Sequence, residues 1–241
     1  MIQIQNLTRR YGTFEAVRGL NLTIQGGEIF GLLGPNGAGK STTLKILATL
    51  LKPSAGVVRI QDLDVTSQAN DVRRIIGYVP EGAELYDALT GEEFLDMLAD
   101  LHRLEPQQVR IRRDPLAEAF DLTGELGRPI GGYSKGMKQK LLLIAALQHE
   151  PEVLLLDEPL DGLDVAAQEH LKKILRDHAA AGKIVVYSSH ILEVVERLCD
   201  RVGIIHQGRL AAEGSPARLI AENGHRTFSE LFLELTAATT S

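Results

Sequence analysis

One glycine-rich segment of this 241-residue sequence has the residue types and spacing of a phosphate-binding loop. It fits the pattern G-x-x-x-x-G-K-[ST], whose glycines let successive backbone N–H groups turn inward around an anion. We expect Lys40 to place its charge at the β- and γ-phosphates of a nucleotide and Ser41 to present its hydroxyl to Mg²⁺. A plain glycine-rich turn between a strand and a helix is the alternative. The residues predicted to surround the phosphates are Gly34, Pro35, Asn36, Gly37, Ala38, Gly39, Lys40, Ser41 and Thr42.

Two adjacent acids could complete this chemistry. Asp157 and Glu158 directly follow the apolar stretch Val153–Leu156. Ligands bind at the carboxyl ends of the strands in open parallel sheets, so both acids are expected to face the phosphates. Asp157 suits binding of Mg²⁺, directly or through water, and Glu158 suits orientation or deprotonation of the attacking water. Without the loop, such a pair would more simply cap the next turn.

The elements that position these residues are visible in the hydrophobic periodicity. Near the N-terminus, apolar residues alternate with polar ones, and the apolar stretch Ile29–Leu33 leads into the loop. From Ser41 the period becomes helical until Pro53. The second half alternates predicted strands at 153–156, 184–187 and 202–206 with helices at 166–180 and 192–198, and then turns back into a hairpin strand, Arg209–Ala212. This alternation predicts a parallel sheet covered by helices.

The middle of the chain, from about 85 to 150, has a helical pattern of its own. Thr90 and Glu93 have the spacing of a capping box at the start of a helix. Pro106 and Pro115 are expected to interrupt further helix, and a new helix is predicted to start at Ser134.

Composition excludes several classes of protein. The net charge of −6 and the 5% of aromatic residues disfavour a nucleic-acid binder that works by bulk charge and base stacking. The longest apolar runs, Leu141–Leu147 and Val153–Leu156, are shorter than the roughly 18 to 20 residues that span a bilayer. The single cysteine, Cys199, excludes an internal disulfide. No secretory signal is visible, and we expect a cytoplasmic protein.

Further motifs make the chain resemble the ATP-binding cassette (ABC) ATPases over nearly its whole length. Tyr133–Met137 stands where that family has its Leu-Ser-Gly-Gly-Gln signature, Leu160–Asp164 resembles its D-loop, and Ser188–His190 its histidine switch. The resemblance implies an α/β fold: a P-loop NTPase core with a mostly parallel sheet, an N-terminal antiparallel β subdomain and an inserted α-helical subdomain. It also implies one ABC ATPase domain over 1–241, with the helical subdomain at about 85–150 and a short helical tail at about 215–241.

The resemblance further implies ATP and Mg²⁺ as cofactors, with Lys40, Glu158 and His190 as the catalytic residues. Ser134 and Gly136 would contact the phosphates of an ATP molecule held by a second, head-to-tail nucleotide-binding subunit, with a homodimer expected. As a physical alternative, Ser134 is a plain helix cap beside a solvated basic face.

Two further residues have both a functional and a structural interpretation. His190 follows the predicted strand Ile184–Tyr187, where its imidazole could reach a γ-phosphate, although a lone histidine is more often a surface or capping residue. Tyr11 resembles the family's adenine-stacking aromatic, and such stacking contributes roughly 1 to 3 kcal/mol. Tyr11 could equally be a core residue, with Phe14 as the substitute.

Three positions depart from the family pattern. Glu81, after the predicted strand Ile76–Val79, stands where the family has a glutamine that touches Mg²⁺. A carboxylate can also bind the metal, and it adds negative charge near the phosphates. Lys135 replaces the first glycine of the signature, and Asp161 replaces a small polar residue of the D-loop.

Other details, including Gly77–Glu81 and Tyr133–Gln139, resemble the branch that energises exporters of drugs, antibiotics, lipids or polysaccharides. That branch implies a separate integral membrane permease as partner, no nucleic-acid partner, and a location on the inner face of the cell membrane. The ATPase of an importer and a soluble ABC ATPase acting on ribosomes or nucleic acid are the alternatives.

Overall fold

A computed structural model describes residues 1–82, 84–224 and 227–237 of the chain. Its strands are β1 (Ile2–Tyr11), β2 (Phe14–Ile24), β3 (Ile29–Leu33), β4 (Ala55–Ile60), β5 (Leu63–Asp64), β6 (Ile76–Val79), β7 (Val153–Asp157), β8 (Ile184–Ser189), β9 (Arg201–His206) and β10 (Arg209–Gly214). Its helices are α1 (Lys40–Leu47), α2 (Ala69–Ile75), α3 (Gly91–Leu101), α4 (Pro106–Ala119), α5 (Lys135–Leu147), α6 (Val165–Ala180), α7 (Leu192–Leu198), α8 (Pro216–Asn223) and α9 (Phe228–Ala237).

The larger sheet has the strand order β10-β9-β3-β8-β7-β6. All of its neighbouring strands are parallel except β10, which forms a hairpin with β9. Every residue of β3 and β7 is buried, which explains why both strands are apolar up to Asp157 at the end of β7. The predicted mostly parallel sheet is therefore confirmed.

The smaller sheet, in the order β2-β1-β4-β5, is antiparallel and confirms the predicted N-terminal β region. The strand β4 was not predicted from the sequence, in which Pro53 marks only the end of the preceding helix. The later part of β4 alternates as a half-buried strand does, with Val58 and Ile60 buried and Val57 and Arg59 exposed.

Two hydrophobic clusters pack against opposite faces of the larger sheet. Successive strand residues point to opposite faces, so Leu32 and Leu155 join the cluster that contains Leu44 of α1, whereas Leu33 and Leu156 join the cluster with Leu143 and other residues of α5. The larger sheet is thus packed on both faces, and the carboxyl ends of its strands are held at a defined position relative to α1 and α5.

The helical middle of the chain confirms the predicted capping box. The Thr90 hydroxyl accepts a hydrogen bond from the backbone N–H of Glu93 at 3.1 Å, and the Glu93 carboxylate accepts one from the N–H of Thr90 at 2.8 Å. As predicted, α5 begins directly after Ser134, whose hydroxyl accepts from the N–H of Met137 at 3.2 Å.

The predicted interruption at Pro115 is wrong, because α4 runs through this residue. Pro106 lies in the first turn of α4, where its missing N–H costs little. Pro115 costs about 3 kcal/mol or more in a helix interior. Burial of Val109 and Ala117 and the 2.6 Å ion pair of the buried Arg113 with Asp96 stabilise the helix against this cost.

The expected C-terminal helical tail contains α8 and α9, while 225–226 and 238–241 lie outside the described residues. Within the described part of the chain, no helix combines the length and the apolar character needed to cross a membrane.

Candidate active site

A cleft of about 430 Å³ opens where β3, β7 and β8 end. The strand register places Asp157 beside Ser188, so the residues after β7 and β8 reach the same edge of the sheet. The cleft brings together most of the predicted site residues. Its lining consists of Tyr11, Phe14, Ala16, Asn36, Gly37, Ala38, Gly39, Lys40, Ser41, Thr42, Glu81, Asp157, Glu158 and His190.

The glycine-rich loop between β3 and α1 forms one wall of the cleft. Gly39 has a φ of 110°, and a Cβ atom there would lie 2.5 Å from the carbonyl oxygen of Ala16. Only glycine fits this combination of backbone conformation and close approach. No side chain caps α1, so the backbone N–H groups of its first turn can meet an anion.

The Lys40 side chain is buried at the base of this loop. Its ammonium donates to the carbonyl oxygens of Gly34 at 2.7 Å and Pro35 at 3.3 Å, so these two residues hold the lysine and are not part of the cleft lining. Burial lowers the pKa of Lys40, and the nearby carboxylates, Glu158 first, oppose that shift.

Asp157, at the end of β7, is buried, and its Oδ1 atom has no hydrogen-bond partner among the described residues. A carboxylate oxygen in this position can bind a cation. Ser41 and Glu81 add further oxygen atoms that can act as metal ligands in the same cleft. The residues therefore fit Mg²⁺, a cation that prefers oxygen ligands and is usually held by one or two carboxylates together with phosphates and water. Across the described residues, no group of three or more His, Cys, Asp and Glu side chains is arranged to hold a metal.

The Glu158 carboxylate is held by two residues from the segment that ends β8. The Nδ1 atom of His190 lies 2.8 Å from Oε1, and the Ser189 hydroxyl donates to Oε2 at 3.1 Å. The Glu158 backbone has a φ of 50°, a left-handed conformation that is uncommon for glutamate, and its N–H donates to the carbonyl of Ser188. The carboxylate is therefore fixed in orientation at the edge of the cleft.

The contact between Ser189 and Glu158 was not predicted from the sequence. The only signal was its position within Ser188–His190, in which His190 alone was given a role. Ser189 also accepts a hydrogen bond from the N–H of Ile191, so its hydroxyl connects the Glu158 carboxylate to the backbone beyond β8.

Tyr11 and Phe14 are both exposed and line the same end of the cleft. They are paired across the β1–β2 register, and the Arg9 guanidinium carbon lies 4.7 Å from the centre of the Tyr11 ring. The alternative that Tyr11 is a core residue is therefore wrong. Either aromatic ring is therefore accessible for stacking against a nucleobase.

Ser134 and Gly136 do not line this cleft. The Ser134 hydroxyl caps α5, as the structural alternative proposed. A Cβ atom on Gly136 would lie 2.5 Å from the carbonyl oxygen of Gly162, so the start of α5 packs tightly against the D-loop-like segment. A second cavity of about 330 Å³ lies beside them and shares Glu81 and Glu158 with the cleft.

The sequence matches the family model described as ABC transporter over residues 17–161. It is 35% identical to the ABC transporter ATP-binding protein NatA of Bacillus subtilis, with 97% of each chain covered. It is 39% identical to a daunorubicin resistance ATP-binding protein of Streptomyces coeruleorubidus, covering 92% of this chain and 71% of that one. For a Nod factor export ATP-binding protein of Burkholderia lata, identity is 40% and coverage 91% and 72%.

Solved structures that resemble this chain belong to the same family as these relatives. The ATP-binding subunit of an ABC transporter superposes with a TM-score of 0.93 at 33% identity, covering 98% of this chain and 99% of that one. A dimeric ATP-binding cassette in a post-hydrolysis state, bound to ADP and Pi, gives a TM-score of 0.80 at 27% identity, covering 89% and 98%. With a cleft that combines the phosphate loop, the buried Asp157 and the oriented Glu158, this chain belongs to the ATP-hydrolysing subunits of the ABC transporter family.

Proposed function

We propose that this chain is the ATP-hydrolysing subunit of an ABC exporter and that residues 1–241 form one ATPase domain, with a helical subdomain at about 85–150. The observation that carries the ATPase assignment is the Glu158 carboxylate, held by Ser189 and His190 in the same cleft as Lys40. A fixed carboxylate beside a phosphate loop is the arrangement needed to direct water at a γ-phosphate.

Lys40 and the loop bind and position the phosphates. The Lys40 ammonium can exchange its bonds with two neutral carbonyls for stronger, charge-assisted hydrogen bonds to phosphate oxygens. The N–H groups of the loop and of the first turn of α1 contribute further donors. Together these groups offset the charge of the phosphates, which three carboxylates in the same cleft would otherwise repel.

Glu158 orients the attacking water and accepts a proton from it as the water oxygen bonds to the γ-phosphorus. The bond between that phosphorus and the bridging oxygen breaks, and ADP and inorganic phosphate are formed. General-base catalysis of this kind contributes about 10² to 10⁴ in rate. His190 holds the carboxylate through Nδ1, and because its ring is exposed in the cleft lining we expect it to contact a γ-phosphate oxygen as well.

Ser41, Asp157 and Glu81 would hold Mg²⁺, which when bound neutralises phosphate charge. Asp157 fits this role because its free carboxylate oxygen is buried, whereas Glu81 is exposed.

Glu81→Gln is expected to raise the Mg²⁺ concentration needed for half-maximal ATP hydrolysis, because an amide oxygen replaces a charged ligand. The measurement is a Mg²⁺ titration of phosphate release at saturating ATP. Glu84→Gln, close in sequence but outside the cleft lining, is the control. An unchanged Mg²⁺ titration, together with unchanged coupling of hydrolysis to transport, would show that Glu81 takes part in neither Mg²⁺ binding nor coupling.

Tyr11→Ala is expected to weaken ATP binding by about fivefold to 150-fold, the equivalent of losing a stacked base at roughly 1 to 3 kcal/mol. Phe14→Ala is the matched comparison, since both rings line the cleft. Fluorescence titration with ATP measures the effect. A loss confined to Phe14→Ala would assign the stacking to Phe14, and no loss in either variant would remove aromatic stacking from the site.

We also propose that the working unit is a head-to-tail pair, with a second copy of this chain as the partner. Ser134 and Gly136 lie outside the chain's own cleft, and a dimeric relative in a post-hydrolysis state supports pairing. Each ATP molecule would then lie between the phosphate loop of one subunit and Ser134 and Gly136 of the other.

Export through a separate membrane permease is favoured by relatives named for Nod factor export and for daunorubicin resistance. The chain would then work at the cytoplasmic face of the membrane, attached through the permease. The net charge of −6 disfavours a nucleic-acid partner. The test is purification of the tagged chain from gently solubilised cells. Recovery with an integral membrane protein of about six apolar spans supports the proposal, whereas recovery with ribosomes would contradict it.

A further inference from the structure

Two of the positions that depart from the family pattern contact each other. The Lys135 ammonium lies 2.5 Å from Oδ2 of Asp161, although the two residues are 26 positions apart. Lys135 is the first residue of α5, and Asp161 lies in the segment that follows β7. The ion pair thus joins two elements that both border the second cavity.

Other contacts attach the same segment, Glu158–Asp164, to α5. The buried Gln139 side chain donates to the carbonyl of Pro159 at 3.1 Å, and the Lys140 ammonium lies 2.8 Å from the Asp164 carboxylate. The hydrogen bond from Lys140 holds the pKa of the Asp164 carboxyl below its ordinary value. Lys135 and Gln139 are four residues apart and share one face of α5, whereas Lys140 extends from the adjacent face. Contacts from α5 therefore hold the segment near its beginning, middle and end.

The segment begins at Glu158. The N–H of Asp161 donates to the Glu158 carbonyl at 3.2 Å, which closes a short turn between the ion pair and Glu158. A left-handed backbone conformation at a residue other than glycine persists only where the surrounding structure holds it, so the contacts that fix the residues after Glu158 help to maintain this conformation. A contact at Asp161 can therefore influence the orientation of the Glu158 carboxylate.

We propose that Lys135 is a positioning residue for Glu158: its ion pair with Asp161 fixes the Glu158–Asp164 segment against α5 and so keeps the Glu158 carboxylate directed into the cleft. The inference rests on the proposed function of Glu158 in ATP hydrolysis. The side chains of the pair are 70% and 57% exposed, and exposed pairs are weak, so we expect a modest effect of about two- to fivefold.

The first experiment compares steady-state ATP hydrolysis by the wild-type chain, Lys135→Met, Asp161→Asn and the double exchange Lys135→Asp with Asp161→Lys. We expect each single variant to lower kcat about two- to fivefold with KM for ATP unchanged, and the double exchange to recover part of the loss. The matched control is Arg218→Met, because Arg218 pairs with Glu222 at 2.7 Å with similar exposures of 71% and 52%. A rise in KM with kcat unchanged would overturn the proposal, as would a wild-type kcat in the single variants.

The second experiment repeats Lys135→Met in a Glu158→Gln background under single-turnover conditions. If Lys135 acts through Glu158, its effect on the rate disappears when Glu158 can no longer accept a proton. The same fold-reduction in both backgrounds would show that Lys135 acts independently of Glu158 and would overturn the proposal. Absence of ATP hydrolysis by the wild-type chain would instead contradict the proposed function itself.

Discussion

Replacing Glu158 by glutamine is expected to lower the rate of ATP hydrolysis at least about 100-fold while ATP binding is retained. Glutamine has nearly the same shape and can still accept the hydrogen bond from Ser189, but it cannot take a proton from water. Phosphate release and equilibrium ATP binding measure the two effects separately. Because bound ATP then persists, we also expect an ATP-bound dimer to accumulate, which light scattering detects.

Glu169→Gln is the control for this substitution. Glu169 lies on α6 and pairs with Lys172 at 2.7 Å, outside the cleft lining. We expect its rate to stay at the wild-type value. Unchanged hydrolysis in Glu158→Gln would remove Glu158 from the mechanism, and a loss of ATP binding in that variant would show that the carboxylate acts in binding.

Replacing Lys40 by alanine is expected to weaken ATP binding by about 10- to 100-fold, since hydrogen bonds to charged groups contribute about 1.5 to 3 kcal/mol. The substitution also leaves Asp157, Glu158 and Glu81 without the cation that offsets their charge, so the cleft becomes less favourable for phosphates. Isothermal titration with ATP measures the change in affinity.

Lys45→Ala is the matched control, because Lys45 is an exposed lysine on the same helix. Its affinity for ATP should stay close to that of the wild-type chain. If Lys40→Ala bound ATP normally, the assignment of 34–42 as the phosphate loop would be wrong. If both lysine variants lost affinity equally, the effect would be one of overall charge.

The larger sheet and the placement of the loop and the two acids at one edge of it could be predicted because their signals are local. The glycine-rich loop is continuous in the sequence, and Asp157 ends an apolar strand that Glu158 directly follows. The position of a strand end within a parallel sheet then brings the loop and the acids to one edge. Both conclusions needed only periodicity and the order of residues.

Contacts between distant segments could not be predicted in the same way. The bond from Ser189 to Glu158 and the pair between Lys135 and Asp161 depend on how neighbouring elements pack. The left-handed backbone at Glu158 also leaves no sign in the sequence, since the residue is not glycine. The interruption predicted at Pro115 is wrong because packing of α4 outweighs the local preference of proline against a helix interior.

The claim that Glu158 drives ATP hydrolysis in this cleft can be tested most directly by measuring single-turnover conversion of ATP to ADP. Purified chain in excess over labelled ATP, with Mg²⁺ present, is sampled over time for ADP. We expect the wild-type chain to convert the bound ATP, and Glu158→Gln to retain it at least about 100 times longer. Conversion by Glu158→Gln at the wild-type rate, or failure of the wild-type chain to convert bound ATP, would contradict ATP hydrolysis by Glu158 in this cleft.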